Sequence, residues 1–140
     1  MSDPISTDPK AIITLLEKGL IPVDDPVWEL IIEAPLSYIK TEPIAMSVAH
    51  HATVRNLIPK NGPHLYQIKD EYGWTVAHVA AAHGYLPEDF DQWELCNISG
   101  WTVAHEAARY NSLPKYFDKW ELATKNGYTV RNIHDKYNPK

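Results

Sequence analysis

The sequence predicts an all-α fold, a solenoid of short repeats with a helical cap at its N-terminal end and a half-repeat at its C-terminal end. The first observation behind this is a repeat: GWTVAHVAA at 73–81 returns as GWTVAHEAA at 100–108, and the two 27-residue periods share 15 identities. The second is the Ala-rich run after Thr75 and Thr102, because a threonine before such a run is a natural N-cap. A fixed period of this length indicates stacked units that share one core.

The same period divides most of the chain into units. Repeats are predicted at 45–72, 73–99 and 100–126, followed by a half-repeat at 127–140. In the half-repeat Arg131 replaces the alanine of the earlier copies, so we expect a polar face that closes the stack. Residues 1–44 are predicted to form the N-terminal helical cap, and with 45–140 they make one continuous domain.

The cap carries two signals for the start of a helix. Asp8-Pro9 and Asp25-Pro26 each place proline after an N-cap residue, at the first helical position. We therefore expect one helix from Pro9 to Lys18 and a second from Val27 to Glu33.

Each repeat is expected to contain two helices. The first follows Thr75 or Thr102, and Gly84 is suited to end it, since glycine readily adopts the left-handed conformation. Pro87 and Pro114 suit the first position of a second, short helix.

Segment 73–86 resembles the signature of ankyrin repeats, a Thr-Pro-Leu-His-x-Ala-Ala helix closed by Gly-His. The matching residues are Thr75, His78, Ala80, Ala81 and Gly84, then Thr102, His105, Ala107 and Ala108. Val76-Ala77 departs from the usual Pro-Leu, and the period is shorter than the family's usual length of about 33 residues, so the second helix must be short. The resemblance implies an ankyrin-like repeat solenoid that binds a protein partner through its turn tips and first helices.

Composition narrows the class of protein. The net charge of −5 argues against nucleic acid and anionic membrane as partners, and the single cysteine, Cys96, excludes an internal disulfide. No secretory signal and no stretch of transmembrane length are visible, so a cytoplasmic location is expected. The oligomeric state stays open, with a monomer favoured.

No catalytic, cofactor or metal site is predicted. His50, His78 and His105 recur at one repeat position, and the resemblance implies that this histidine is structural. A zinc site needs three or four convergent ligands. Arg109 stands where a zincin helix beginning at His105 would need its second histidine. We therefore expect a protein that is not an enzyme.

Partner-binding residues are predicted from two sets of positions. One set is the aromatic residues after each turn glycine, which either anchor a partner or fill the core between units. The other set varies between copies while the frame stays constant, as a recognition surface requires. Together they are Trp74, Trp101, Tyr128, Glu71, Tyr72, Ile98, Val79, Glu106, His83, Arg109 and Tyr110.

The function expected from these features is non-enzymatic binding of a protein partner, which the chain would mask or inhibit. Two alternatives stay open. One is a small-molecule or metal-binding protein, or an enzyme, with a pocket lined by Trp74, Trp101 and nearby histidines. The other is a structural protein that associates with itself through its exposed aromatic residues.

Overall fold

The computed structural model describes residues 8–35, 43–60 and 62–138. The chain forms two compact units, Met1–Ile68 and Lys69–Lys140. The predicted repeat at 45–72 therefore lies in the first unit except for residues 69–72, and the later repeats make up the second unit.

The first unit begins with helix α1, Pro9–Glu17. Pro9 occupies its first position, as the sequence predicts, and Ile12 and Leu16 are buried one turn apart. A 3-10 helix, Pro26–Glu29, follows, and within it the indole Nε1 of Trp28 donates to the carbonyl of Pro22 at 2.7 Å.

The all-α prediction is wrong, because the first unit contains a two-stranded antiparallel sheet. Strand β1 is Ile31–Pro35 and strand β2 is Pro43–Ser47. Of the helix predicted from Val27 to Glu33, only the 3-10 helix Pro26–Glu29 forms. Ile32 is buried while residues 31 and 33 on either side are exposed, and this period of two suits a half-buried strand. The fold is mixed α/β.

Strand β2 leads directly into helix α2, Val48–Val54. Ser47 ends the strand and caps the helix, its hydroxyl accepting from the backbone N–H of His50 at 3.0 Å. The N–H of Val48 donates to the carbonyl of Leu30 at 2.8 Å, which fixes the helix start against the preceding turn. A second 3-10 helix, Pro63–Gln67, completes this unit.

The second unit repeats one motif along the chain. Helices α3 (Val76–His83), α4 (Val103–Arg109) and α5 (Val130–Tyr137) begin 27 residues apart and pack against one another in sequence order. Before each helix the chain makes a tight turn tip closed by one antiparallel bridge, and the tips span 69–75, 96–102 and 123–129. Helix α3 ends at Gly84 and α4 ends near Asn111, both with positive φ.

The second helix predicted for each repeat is absent from the described residues of this unit. After Pro87 and Pro114 the chain makes a single turn, in which Phe90 and Phe117 donate their N–H groups back to the proline carbonyls at 3.1 Å. We call the segments 85–95 and 112–122 the arms. The prediction of a short helix there is wrong, because the arms are organised by aromatic packing instead.

A ladder of aromatic rings runs through both arms and ends on α5. Phe90 meets Trp93 edge to face at 4.9 Å between centroids, and Trp93 meets Phe117 at 5.3 Å. Phe117 meets Trp120, which in turn meets His134, both at 5.3 Å. Such contacts stabilise by about 0.5–1.5 kcal/mol each beyond the area they bury, so the ladder replaces packing that a second helix would supply.

The arms also satisfy the first amides of the next helix. Helix starts leave N–H groups without intrahelical partners. The N–H groups of Val103 and Ala104 donate to the carbonyls of Leu95 and Trp93, at 2.9 and 3.3 Å. The same pattern recurs one period later, at the start of α5. No helix among the described residues is long and apolar enough to cross a membrane.

Candidate interaction surface

Each helix of the second unit starts with a reciprocal pair of hydrogen bonds. The Thr75 hydroxyl accepts from the N–H of His78 at 3.2 Å, and Nδ1 of His78 accepts from the N–H of Thr75 at 3.1 Å. Because Nδ1 is an acceptor, the neutral ring carries its proton on Nε2. That Nε2 lies 2.9 Å from the carbonyl of Trp101 in the next tip and donates to it.

His105 repeats this arrangement one unit later. Its Nδ1 accepts from the N–H of Thr102 at 3.4 Å, and its Nε2 lies 2.8 Å from the carbonyl of Tyr128. Burial lowers the pKa of the His105 imidazole, and the hydrogen bond to Tyr128 opposes that shift in part. In the last copy Asn132 takes the capping role, with Oδ1 accepting from the N–H of Thr129 at 3.0 Å.

These bonds bear on the metal alternative. Both ring nitrogens of His78 and of His105 contact backbone or threonine groups, so a metal ion would have to displace those contacts. Within residues 8–35, 43–60 and 62–138, no three His, Cys, Asp or Glu side chains are grouped as metal ligands.

The turn tips are held by side chains and by close backbone contact. Oδ1 of Asp70 accepts from the N–H groups of Tyr72 and Trp74, both at 2.9 Å. A Cβ added at Gly73 would lie 3.0 Å from the backbone of Asn97, so only glycine allows the next tip to approach this closely. Adjacent tips also share a hydrogen bond, from the N–H of Ile98 to the carbonyl of Tyr72 at 3.2 Å.

Two apolar side chains project from these fixed tips. Tyr72 is 58 % exposed and Ile98 is 65 % exposed, although their backbones are hydrogen-bonded to each other. Glu71 is exposed beside them. The tips thus present a pair of adjacent apolar groups on a rigid backbone.

The aromatic residues that follow the turn glycines differ in environment. Trp74 and Trp101 are half-buried, and their rings lie 5.1 and 5.3 Å from His78 and His105. Tyr128, at the same position of the last copy, is exposed. The two tryptophans therefore contribute to packing within their units and keep only part of their surface open.

Glu106 does not lie on the exposed surface. It is 7 % exposed, and its Oε1 accepts from Nε1 of Trp101 at 3.3 Å. Burial raises the pKa of its carboxyl, while the Trp101 hydrogen bond and the charge of Arg109 act in the opposite direction. Val79, the equivalent residue one period earlier, is half-buried. This position therefore offers little exposed surface to a partner in either copy.

The C-terminal ends of the helices carry a further group of exposed rings. The His83 ring is stacked on Tyr85 at 5.4 Å. Arg109 is exposed, and its Cζ lies 5.3 Å from the ring centroids of both Tyr110 and Tyr137. Tyr137 was not among the predicted residues, although it lies one period after Tyr110 and that spacing could have identified it.

Two open cavities, of about 460 and 470 Å³, lie among the described residues of the first unit. Both are lined in part by Trp28 and Val23. None of the predicted partner-binding residues lines either of them, and the predicted residues all lie in the second unit.

The predicted surface thus divides by exposure. The exposed members are Glu71, Tyr72, His83, Ile98, Arg109, Tyr110 and Tyr128. Trp74, Trp101 and Val79 are half-buried, and Glu106 is buried. The chain matches no protein-family model, no curated protein and no solved structure.

Proposed function

We propose that the chain is a non-enzymatic protein-binding module, and that residues 69–138 present its binding surface. The observation that carries this proposal is the pair Tyr72 and Ile98, two large apolar side chains exposed on neighbouring tips whose backbones are hydrogen-bonded. Because the backbone that carries these two side chains is already held by hydrogen bonds, binding loses little conformational entropy there. More of the free energy gained by burying the side chains is then available for affinity.

The residues that hold the repeats together are constant between copies, whereas the exposed residues vary, and this contrast supports a protein as the partner. Capping threonines and buried alanines are the same in consecutive copies, whereas the exposed tip residues change from Glu71 to Ile98 to Lys125. A repeated frame with varied exposed positions suits recognition of an irregular protein surface. The resemblance to ankyrin repeats between Gly73 and Leu122 points the same way.

We further propose that binding acts by masking the partner, because the tips and helix ends offer exposed side chains for contact with a protein surface. A reducing, cytoplasmic compartment suits Cys96, an exposed free thiol that would be prone to oxidation elsewhere.

The test is affinity capture from the source cell with the wild type and with a Tyr72→Ser/Ile98→Ser double variant. We expect a specifically enriched protein whose affinity for the double variant, measured afterwards with both components purified, falls by at least about tenfold, since two buried apolar anchors contribute roughly 1–2 kcal/mol each. Cross-links from the bound protein to residues 69–102 should accompany it.

Leu20→Ser is the matched control. Leu20 is 60 % exposed, comparable to Ile98, but lies in the first unit. It should leave the affinity unchanged, and circular dichroism should show that all variants are folded. If the double variant retains every captured protein at full affinity, the proposed surface is wrong.

A further inference from the structure

We infer that the partner segment bound at the C-terminal ends of α4 and α5 is acidic, and that Arg109 receives one of its carboxylates. This rests on the proposed function, because it names the chemistry of the partner for one part of the same surface. We call Arg109, Tyr110, Lys136 and Tyr137 the arginine cluster.

The cluster is held by the ends of two packed helices. Arg109 is the last residue of α4, Tyr110 follows it, and Tyr137 is the last residue of α5. The side-chain amide of Asn138 donates to the carbonyl of Ala108 at 2.7 Å, which ties the end of α5 to the end of α4. The two helix ends from which these rings project are therefore held together.

The cation–π contacts of Arg109 do not use a hydrogen-bond acceptor. Its Cζ lies over both tyrosine rings, 5.3 Å from each centroid, where the attraction is between the positive charge and the ring faces. The N–H groups lie in the plane of the guanidinium and form a fork that matches a carboxylate. No residue in the described part of the chain accepts a hydrogen bond from this side chain.

Charge at the cluster favours an anion. Nζ of Lys136 lies 5.5 Å from the ring centroid of Tyr137, which brings a second cation to the same ring. Glu106, whose carboxyl pKa is raised by burial and lowered in part by the charge of Arg109, is buried, and its Oε1 accepts from the indole of Trp101. The exposed edge of the cluster thus carries positive charge.

Two other exposed cations of this unit form ion pairs with carboxylates. Lys119 pairs with Glu94 at 3.4 Å and Arg131 pairs with Glu121 at 3.0 Å. Arg109 is instead flanked by aromatic rings with half-exposed faces, since Tyr110 is 49 % and Tyr137 is 44 % exposed. A segment that combines carboxylates with apolar side chains complements both features.

The experiment measures the fluorescence anisotropy of labelled peptides as they bind to the full chain. The peptides are identical except at alternating positions, which carry Glu, Gln, Lys or phosphoserine. We expect the Glu peptide to bind at least about tenfold more tightly than the Gln peptide, and less tightly as salt is raised. Arg109→Gln should remove this preference. Arg109→Lys, which keeps the charge but loses the planar fork, should keep only part of it.

Lys115→Gln is the matched control, because it removes one exposed positive charge from the arm at 112–122. It should leave the Glu preference intact. The inference is overturned if Lys115→Gln acts like Arg109→Gln, if the Glu and Gln peptides bind equally or not at all, or if only the phosphoserine peptide binds. None of these results would contradict protein binding itself, which the Tyr72→Ser/Ile98→Ser variant tests separately. Failure of the acidic-segment inference can therefore be told from failure of the proposed function.

Discussion

Replacing His105 tests how the repeat frame is held together. His105 is fully buried, its Nδ1 accepts from the N–H of Thr102, and its Nε2 donates to the carbonyl of Tyr128. Alanine leaves the buried Thr102 N–H without a partner, at roughly 1–3 kcal/mol, and forfeits the Tyr128 bond, at about 1 kcal/mol. The vacated ring volume costs roughly another 1–2 kcal/mol. His105→Ala should therefore lower the free energy of unfolding by about 3–6 kcal/mol.

The chain itself supplies the comparison variant. Asn132 performs the capping role in the last copy, its Oδ1 accepting from Thr129. His105→Asn should keep the cap acceptor while losing the Tyr128 bond and some ring packing, at about 1–3 kcal/mol. Asn132→Ala removes the same kind of acceptor at an exposed position, where water replaces it, and should cost about 1 kcal/mol or less.

Urea unfolding at neutral pH, followed by tryptophan fluorescence and by circular dichroism, measures these differences. The expected order of loss is His105→Ala, then His105→Asn, then Asn132→Ala. An asparagine variant as unstable as the alanine variant would show that the cap acceptor adds nothing to stability, and would refute the assignment of the Thr102–His105 pair as a stabilising element of the frame.

Three further predictions concern the second unit. The pKa of His105 is lowered in the folded state, so below its ordinary value of 6.5 the unfolded chain binds more protons and stability should fall as pH falls. The urea midpoint of His105→Asn should depend less on pH than that of the wild type, and an equal dependence would contradict this assignment. The pKa of Glu106 is raised, so its contribution to stability is lost as pH rises through the folded pKa; thermal unfolding should show Glu106→Gln stabilised at alkaline pH and less so in acid, whereas a uniform effect would point to packing alone. Gly100 and Gly127 have φ of +80° and +85°, but of these two only Gly100 would place an added Cβ against a backbone atom, the nitrogen of Lys125 at 2.9 Å. Gly127→Ala should lower the free energy of unfolding by about 1–2 kcal/mol and Gly100→Ala by clearly more, and equal urea midpoints would argue against close tip contact.

Local signals in the sequence predicted the parts of the fold that local chemistry determines. Thr75 and Thr102 cap helices as expected, and Pro9 begins α1. The signal at Asp25-Pro26 also started a helical turn, but the residues after it pair with β2 instead. That pairing depends on a separate partner strand, Pro43–Ser47, which a start signal does not encode.

Tertiary packing determines the parts of the fold that these local signals did not predict. Pro87 is suited to a helix start, yet the following segment is shaped by ring contacts of Phe90 and Trp93 that connect two repeats. For the candidate surface, variation between copies indicated Ile98 and Tyr110, which are exposed, and also Glu106, which is buried. A change of residue type between copies does not tell an exposed position, such as residue 98, from a buried one, such as residue 106.

The absence of a second helix from the arms affects how the chain tolerates insertions and deletions. One residue added to a helix turns everything beyond it by about 100°, and so moves its buried face away from the core. A turn can absorb the same residue by widening locally. The spacing from Ser47 to Thr75 is one residue longer than the 27 that separate Thr75 from Thr102 and Thr102 from Thr129, and all four residues still cap helices. The extra residue lies between α2 and the tip at 69–75, outside the two arms, so we expect connecting segments of this kind to accept length variation, natural or engineered, without disturbing the helices beside them.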